Sequence, residues 1–438
     1  MKIKLTILSF VLILVSCQSF KKLPIDKTKI LKDVEEHRKY NGPVEGLSFN
    51  DAQKLMSMNN LELKELRQEY EKLKSIAEIK TPLPNPSIEL GYALGTSLDE
   101  KSAGKSQPFI GLGFTIPLGP RLARNDDLNE ALMLRAYNNI VLKHRSLYFE
   151  LKKAFSSYSM ESNLLNKKKQ LLEHFKLNSQ TVNKMLEFGA ATVIDVNSAK
   201  IQHSSMQISL YETQSELNQI KSRLGELLGK DLSSTSDFNV KADKLIIEDF
   251  KDLNLLKTTM VQSNFELSRL EMDYKIAEIE LKLELAKQYP DIEIGSSAEQ
   301  EPGEKKKIFS LGLSLDLPIF DRNQQSIASK DNERKVLLSK FNSVLSSSIN
   351  KLNLLVSNYN IQKQKLSLID NQILPISNDT VAKAKKAVQA GRLDILRFID
   401  LSKELYENEL EKIKVSKQLQ EIKLELEEVI GESLTGSK

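Results

Sequence analysis

One cysteine and no tryptophan occur in the 438 residues of this chain. A single thiol excludes an internal disulfide and any cysteine-built metal cluster. Aromatic residues make up only 6% of the sequence, glycine and proline number 17 and 12, and 28% of residues are charged. That balance favours long amphipathic helices over a compact many-layered core. Charge of one sign is lacking too. The 63 Lys and Arg stand against 59 Asp and Glu, a net +4, interleaved along helix faces, so no nucleic-acid footprint is present. Beyond the N-terminus no run of about 18 uninterrupted apolar residues occurs, and no transmembrane helix is expected. The four histidines, His37, His144, His174 and His203, form no ligand-spaced set, so neither a metal site nor a cofactor is expected. Enzyme signatures are missing as well. There is no phosphate loop, nucleophile elbow, zinc-binding helix motif or Cys/His pair, and Gly111-Leu112-Gly113 lacks the third glycine and following helix of a dinucleotide site.

What is there begins with MKIKLTILSFVLILVSCQSF. Lys2 and Lys4 precede an apolar run from Leu5 to Val15, too short to span a membrane and laid out like a secretory signal. Leu14-Val15-Ser16-Cys17 resembles a bacterial lipobox, in which cleavage before the cysteine is followed by lipidation of its thiol. The expectation is a signal peptide over 1–16 and a lipidated extension over 17–46. The plainer alternative is an ordinary signal peptide that happens to contain a cysteine.

The chain also repeats itself. KMLEFGAATVIDVNSAK and KAVQAGRLDILRFIDLSK place Gly189 and Gly391 202 residues apart. Leu217, Ile220, Leu224, Leu227 and Gly229 match Leu419, Ile422, Leu426, Val429 and Gly431 at the same offset. Pro117 and Pro318 are 201 apart, and Pro86 and Pro290 are 204 apart. Order preserved with small drifts is what loop insertions leave in a tandem duplication, here 47–232 and 245–438 with a linker over 233–244. Each half reads as a helix (about 50–80 and 250–287), two short strands, a long helix, a tight turn and a return helix. Gly189 and Gly391 suit the left-handed position after a helix, and Thr192 and Asp394 suit N-caps. Thr192 with Asp195 has the form of a capping box. Steps of three and four between the matched leucines are a coiled-coil seam. Pro375 is expected to disturb the second long helix near Asn371 by removing a hydrogen bond.

Four segments alternate with a period of two, at about 86–95, 108–117, 290–298 and 307–318. SIELGYAL sets Ile88, Leu90, Tyr92 and Leu94 against Ser87, Glu89, Gly91 and Ala93. FSLGLSLDLP sets Phe309, Leu311, Leu313, Leu315 and Leu317 against Ser310, Gly312, Ser314 and Asp316. FIGLGFTIP and DIEIGSS follow suit. Each strand therefore has one apolar and one polar or tiny face. Two readings compete: a sheet packed on helices, or strands with one face in lipid and one toward water. The helices carry narrow seams with no spare apolar face, which favours lipid. Four strands cannot close a barrel, and known ones start at about eight, so closure requires several chains.

Taken together, these parts resemble the TolC family of outer-membrane efflux channels over nearly all of 47–433. LSFNDAQKLMSMNNLELKELR resembles the family's opening helix and PNPSIELGY its first strand. GAATVIDVNSAKIQ and AGRLDILRFIDLSKEL resemble its hairpin tips, and ILPISNDTVAKAKKAVQAG its last long helix. LPNPSIELGY and LPIFDRNQ are most like the CzcC/CusC heavy-metal branch, although the first junction, IPLGPRLARND, lacks an extra glycine common there. The resemblance implies an α+β membrane protein, a homotrimer in which a 12-stranded transmembrane β-barrel continues into a long antiparallel α-helical coiled-coil barrel. It also implies an outer-membrane, lipid-anchored location with a periplasmic extension. Implied partners are outer-membrane lipid, a periplasmic adaptor (membrane fusion protein) and an inner-membrane pump of the RND class, with no catalysis. The rival is a periplasmic coiled-coil adaptor or structural lipoprotein, which leaves the four amphipathic strands without a role.

The same resemblance implies a periplasmic gate at the tips. Asp195 and Asp400 match aspartates of the two tip motifs, and Arg397 stands where the family often has another acid. Carboxylates gathered near a threefold axis would raise one another's pKa and attract cations. Asp195 could instead simply cap its helix, and Asp400 could lie on a solvated face. Pro117, Pro318 and Arg322 mark the barrel-to-tunnel junctions, where Pro ends strand pairing and Asp321 or Asn323 is expected to cap the next helix.

Overall fold

The computed structural model describes residues 20–40, 46–94, 106–233, 238–241, 252–300 and 307–434. Cys17 and the signal segment lie outside the described residues, as do the two strand-connecting loops. The chain divides into two compact units, Met1–Gly42 and Pro43–Lys438. Among its described residues the first contains one helix, α1 (Lys27–Arg38), whose N-terminal amides of Thr28 and Lys29 donate to Asp26 Oδ1 at 3.0 and 3.1 Å. No residue of α1 is buried.

The second unit opens with β1 (Leu47–Ser48), α2 (Phe49–Asn59) and α3 (Leu61–Ala77). The single opening helix expected over about 50–80 is thus two helices. Asn60 ends the first and caps the second, its Oδ1 accepting from Leu63 N at 3.1 Å. The second half has the same break. Asn264 separates α6 (Leu253–Ser263) from α7 (Phe265–Ala286) and accepts from Glu266 N and Leu267 N. Each Asn is buried and extended, and its side-chain oxygen satisfies orphan amides of the next helix, which is why the chain bends there.

Between these pieces run α4 (Arg121–Glu187) and α5 (Val193–Leu228). No glycine or proline interrupts the 67 residues of α4, so it extends about 100 Å. After it, Gly189 turns left-handed at φ 71°, and Ala190 N donates to Met185 O. In the second half α8 (Gln324–Leu368) passes through a π-helical turn (Ile369–Ile373) into α9 (Leu374–Gln389), then α10 (Ile395–Ile430). Pro375 lies just past the π-turn, where Leu374 N reaches back to Ile369 O. The missing Pro N–H leaves the ladder one residue wider rather than broken. Gly391 closes this hairpin at φ 66°.

The seam residues meet as their spacing requires. Leu217, Leu224 and Leu227 are buried in α5, and Leu419, Leu426 and Val429 in α10. One core gathers Leu256, Met260, Leu352, Leu355, Tyr359 and Leu419 from α6, α8 and α10. On the other side Phe49 packs edge-on to Tyr148 and Phe155, and Tyr158 donates to Phe238 O. A two-residue parallel pairing of β1 with β4 (Val240–Lys241) joins the start of the first half to the linker that follows it.

The strands β2 (Ser87–Leu94), β3 (Ser106–Pro117), β5 (Asp291–Gln300) and β6 (Lys307–Leu315) form one antiparallel sheet in the order β2-β3-β5-β6. The hairpin of each half is thereby joined to the other through β3 and β5. Among the described residues both outer strands, β2 and β6, keep one edge unpaired. Among the described residues no helix is long and apolar enough to cross a membrane.

Candidate functional site

Register carries the alternation of each strand across the whole sheet. Ile88, Leu112, Ser296 and Leu311 align in one row, and Phe114, Ile294 and Leu313 in another. These rows share a face that no helix among the described residues covers. Leu90, Phe309, Leu311 and Leu313 are 74 to 81% exposed. At about 25 cal/mol per Å² of apolar surface left in water, such a face is costly unless something apolar meets it.

The opposite face is polar and narrow. Ser87, Gly113, Gly295 and Gly312 form one row, with Glu89, Gly111, Ser297 and Ser310 beside it. Toward the loop end Phe109 and Ile308 join this side. A hollow of about 510 Å³ lies over it, lined by Glu89, Glu293, Ser297, Ser310 and Ser314 among others. A Cβ at Gly111 would sit 3.2 Å from Glu89 Cβ, so the missing side chain leaves room for the carboxylate.

At the junctions the two halves diverge. After β3, Leu118 N donates to Pro290 O at 3.3 Å, Tyr289 covers Gly119, and Arg121 pairs with Asp291 at 3.0 Å. Pro117 is the last residue of β3 and pairs with Asp291 in the ladder. After β6, pairing stops at Leu315, three residues before Pro318. The expected side-chain cap of α8 is absent. Asn323 is left-handed (φ 57°), and its amide donates to Glu284 O and Oε2, while Asp321 Oδ1 accepts from Asn323 N. The turn is tied to α7 instead of to its own helix. Arg322 is exposed, and its side chain has no partner among the described residues.

At the far end of the helices the two hairpin tips touch. Val182, Val196, Ala199 and Ile399 are buried together, with Leu186, Ala191, Ile395 and Leu396 around them. Asp195 adjoins Val196 of this cluster in sequence, and Arg397 and Asp400 flank Ile399. Asp195 closes the capping box with Thr192: Thr192 N and Oγ1 donate to its Oδ2 at 2.8 and 2.7 Å, and Asp195 N donates to Thr192 Oγ1. The bonds from the Thr192 hydroxyl and amide hold the Asp195 carboxyl below the usual range, so it stays charged. Asp394 caps α10 by accepting from Leu396 N. Asp400 and Arg397 are exposed with no side-chain partner among the described residues. Among those residues no group of three or more His, Cys, Asp or Glu could hold a metal ion.

Between sheet and tips, α4 and α10 run antiparallel and are joined by ion pairs that sequence reading did not find. Lys152–Glu427 (2.6 Å), Lys153–Glu425 (3.2 Å), Glu161–Lys417 (2.7 Å) and Lys167–Glu409 (2.6 Å) succeed one another down the contact. Glu161 and Glu427 are fully buried. Burial pushes the Glu161 carboxyl up, against the pull of Lys417. Burial also pulls Lys417 down, but its bond to Glu161 and the charges of Glu161, Glu421 and Glu216 together leave it raised. In a chain so rich in charge, nothing local distinguishes these pairs from surface ones.

No protein-family profile matches the chain. By sequence it is similar to the cobalt-zinc-cadmium resistance protein CzcC of Cupriavidus metallidurans, 19% identical over 253 residues, 58% of this chain and 60% of CzcC. The match thus spans about three fifths of that curated relative's length. In structure it is similar to CusC, with TM-score 0.70 and 13% identity, covering 95% of this chain and 99% of that one. It is also similar to the open state of the Neisseria gonorrhoeae MtrE outer membrane channel, with TM-score 0.67 and 15% identity over 95% and 99% of the two chains. At these identities the likeness establishes the fold. The resemblance to the TolC family and its CzcC/CusC branch, carried in the sequence by the strand and hairpin motifs, is borne out by these findings.

Proposed function

We propose that this chain, which has the fold of outer-membrane channels such as CusC and MtrE, is the exit duct of a tripartite efflux pump. The observation that carries the reading is the sheet: one face apolar and uncovered, the other polar and hollow, both edges open, with helices of about 100 Å attached. Three copies joined β6 to β2 would supply twelve strands, enough to close a barrel. The apolar rows would then meet outer-membrane lipid and the glycine-serine rows would line water. The repeated order of elements supports a tandem duplication, and Cys17 is the proposed lipid anchor.

In this arrangement the helical tips reach the periplasm. Phe188, Val193 and Ile194 are exposed there and offer apolar surface to a periplasmic adaptor. An inner-membrane pump, of the RND class on the CzcC/CusC likeness, supplies the energy, and no catalytic role is proposed for this chain. Asp400 and Arg397, without side-chain partners among the described residues, and Asp195 of the other tip are the proposed gate. The likeness to CzcC favours divalent heavy-metal cations as cargo.

The test is direct. The expected result is a heat-modifiable trimer that fractionates with outer-membrane porins and forms single channels in planar bilayers. A product released with soluble periplasmic proteins and lacking conductance overturns the reading. Deleting the gene and screening for sensitivity to metals, dyes and antibiotics tests the cargo.

A further inference from the structure

The turn after β6 is held firmly and yet its apolar side chains stand largely exposed. Ile319 N donates to Leu317 O at 2.8 Å, and Gln324 accepts from Arg322 N at 2.7 Å while donating to Phe320 O at 3.1 Å. Gln288 from the end of α7 donates to Arg322 O at 3.1 Å, and Asn323 fastens the turn to Glu284. Against this fixed backbone Leu317, Ile319 and Phe320 are 63, 60 and 93% exposed. Leu317 continues the odd-numbered apolar row of β6, Leu311, Leu313 and Leu315. Next comes the Arg322 guanidinium, without a partner among the described residues, whereas Arg121 of the first junction is committed to Asp291. Asp321, the intervening acid, is engaged with Asn323 N at 2.8 Å.

A backbone ordered by five hydrogen bonds does not present three bare apolar side chains to water without a partner for them. We propose that 317–322 is an interfacial anchor: Leu317, Ile319 and Phe320 enter the acyl boundary of the periplasmic leaflet, and Arg322 binds the phosphate of an anionic phospholipid there. The proposal rests on the barrel reading of the sheet. Two features favour phospholipid as the occupant. The patch is continuous with the apolar face of β6, and it ends in an uncommitted cation of the planar type that matches phosphate bidentately. Amphipathic side chains with an apolar body beside a charged head are what a membrane boundary accommodates.

The chain has no tryptophan, so Phe320→Trp, Leu311→Trp and Phe188→Trp each give the full-length protein a single fluorescent probe. They are reconstituted into vesicles of phosphatidylethanolamine and phosphatidylglycerol that carry bromine either near the carbonyl or near the methyl end of the acyl chain. For Phe320→Trp the expectation is blue-shifted emission, most of it lost to shallow bromine, at about 15 Å from the midplane. Leu311→Trp, in the middle of β6, is quenched best by deep bromine, and Phe188→Trp at the tip by neither. Blue-shifted emission at position 320 that bromine does not touch means contact with a second copy and overturns the proposal. So does quenching there by aqueous iodide alone. If Leu311→Trp also escapes bromine, the barrel reading has failed; if it is quenched and Phe320→Trp is not, the anchor alone has failed. In the Phe320→Trp background, headgroup-labelled phosphatidylglycerol should quench more than equally labelled phosphatidylcholine. Arg322→Gln should abolish that excess, and an unchanged excess removes the phosphate site.

Discussion

Asn60 donates its side-chain amide to the carbonyl of Leu227 at 3.1 Å, across 167 residues of chain. Asn264 does the same to Val429 at 2.8 Å. Each Asn breaks a helix, caps the next one, and satisfies a carbonyl in the last turn of a return helix. The two clasps fix where the short and long helices of each half meet. Asn60→Ala removes a cap and leaves a buried carbonyl unpaired, an expected cost of about 1–3 kcal/mol. Asn264→Ala should cost a similar amount, which thermal melts of the purified protein followed by circular dichroism would measure.

The glycines after the helices separate into two classes. A Cβ at Gly229 would lie 2.3 Å from Asn59 O, and one at Gly431 would lie 2.0 Å from Ser263 O. At Gly189 and Gly391 nothing lies within 4 Å. All four have positive φ. Gly189→Ala and Gly391→Ala should therefore cost only the left-handed penalty, roughly 1–2 kcal/mol. Gly229→Ala and Gly431→Ala should exceed that clearly, because backbone on the clasp must also move. Equal losses at all four positions would contradict the close approach.

Lys417 and Glu161 are unequal partners. Glu161 is fully buried, whereas the Lys417 side chain retains 24% exposure and has Glu216 at 3.8 Å. Lys417→Met strands a buried carboxylate, with an expected cost of about 3–5 kcal/mol near neutral pH. Glu161→Gln should cost less, since the ammonium keeps water and Glu216. The Glu161 carboxyl sits above its ordinary range because of burial. The folded state therefore binds that proton more tightly than the unfolded chain. Relative stability of Lys417→Met should thus recover as pH falls through the acid range. Melting curves at stepped pH would reveal this, and a deficit that grows on acidification would refute it.

Charge and capping at the tip can be told apart. Asp195→Asn keeps an oxygen acceptor for Thr192 but removes the charge, while Asp195→Ala removes both. If Asp195 gates, either substitution, combined with Asp400→Ala, should raise single-channel conductance and weaken divalent-cation block. If it only caps, Asp195→Asn leaves block unchanged and Asp195→Ala loosens the tip by about 1 kcal/mol. Bilayer recordings with and without a divalent cation decide between them.

The elements whose code is local could be read directly. A period of two gave the strands, steps of three and four gave the seams, and Gly189, Thr192, Gly391 and Asp394 specified their turns, since φ and capping depend on residues within four positions. The tip aspartates and the junction prolines were also visible as motifs, but what each side chain does there was not. Asn323 looked like an N-cap and instead anchors a turn to Glu284, because the acceptor that wins lies 39 residues away. Likewise Asn60 and Asn264 fall inside segments expected as single helices, and the ion pairs of α4 with α10 were lost among the charges around them. The sequence by itself determined which segments are helix or strand and which face of each strand is apolar. Only the tertiary structure decided which helices meet, because desolvation turns Glu161–Lys417 and the Asn clasps into strong constraints only once packing has excluded water from them.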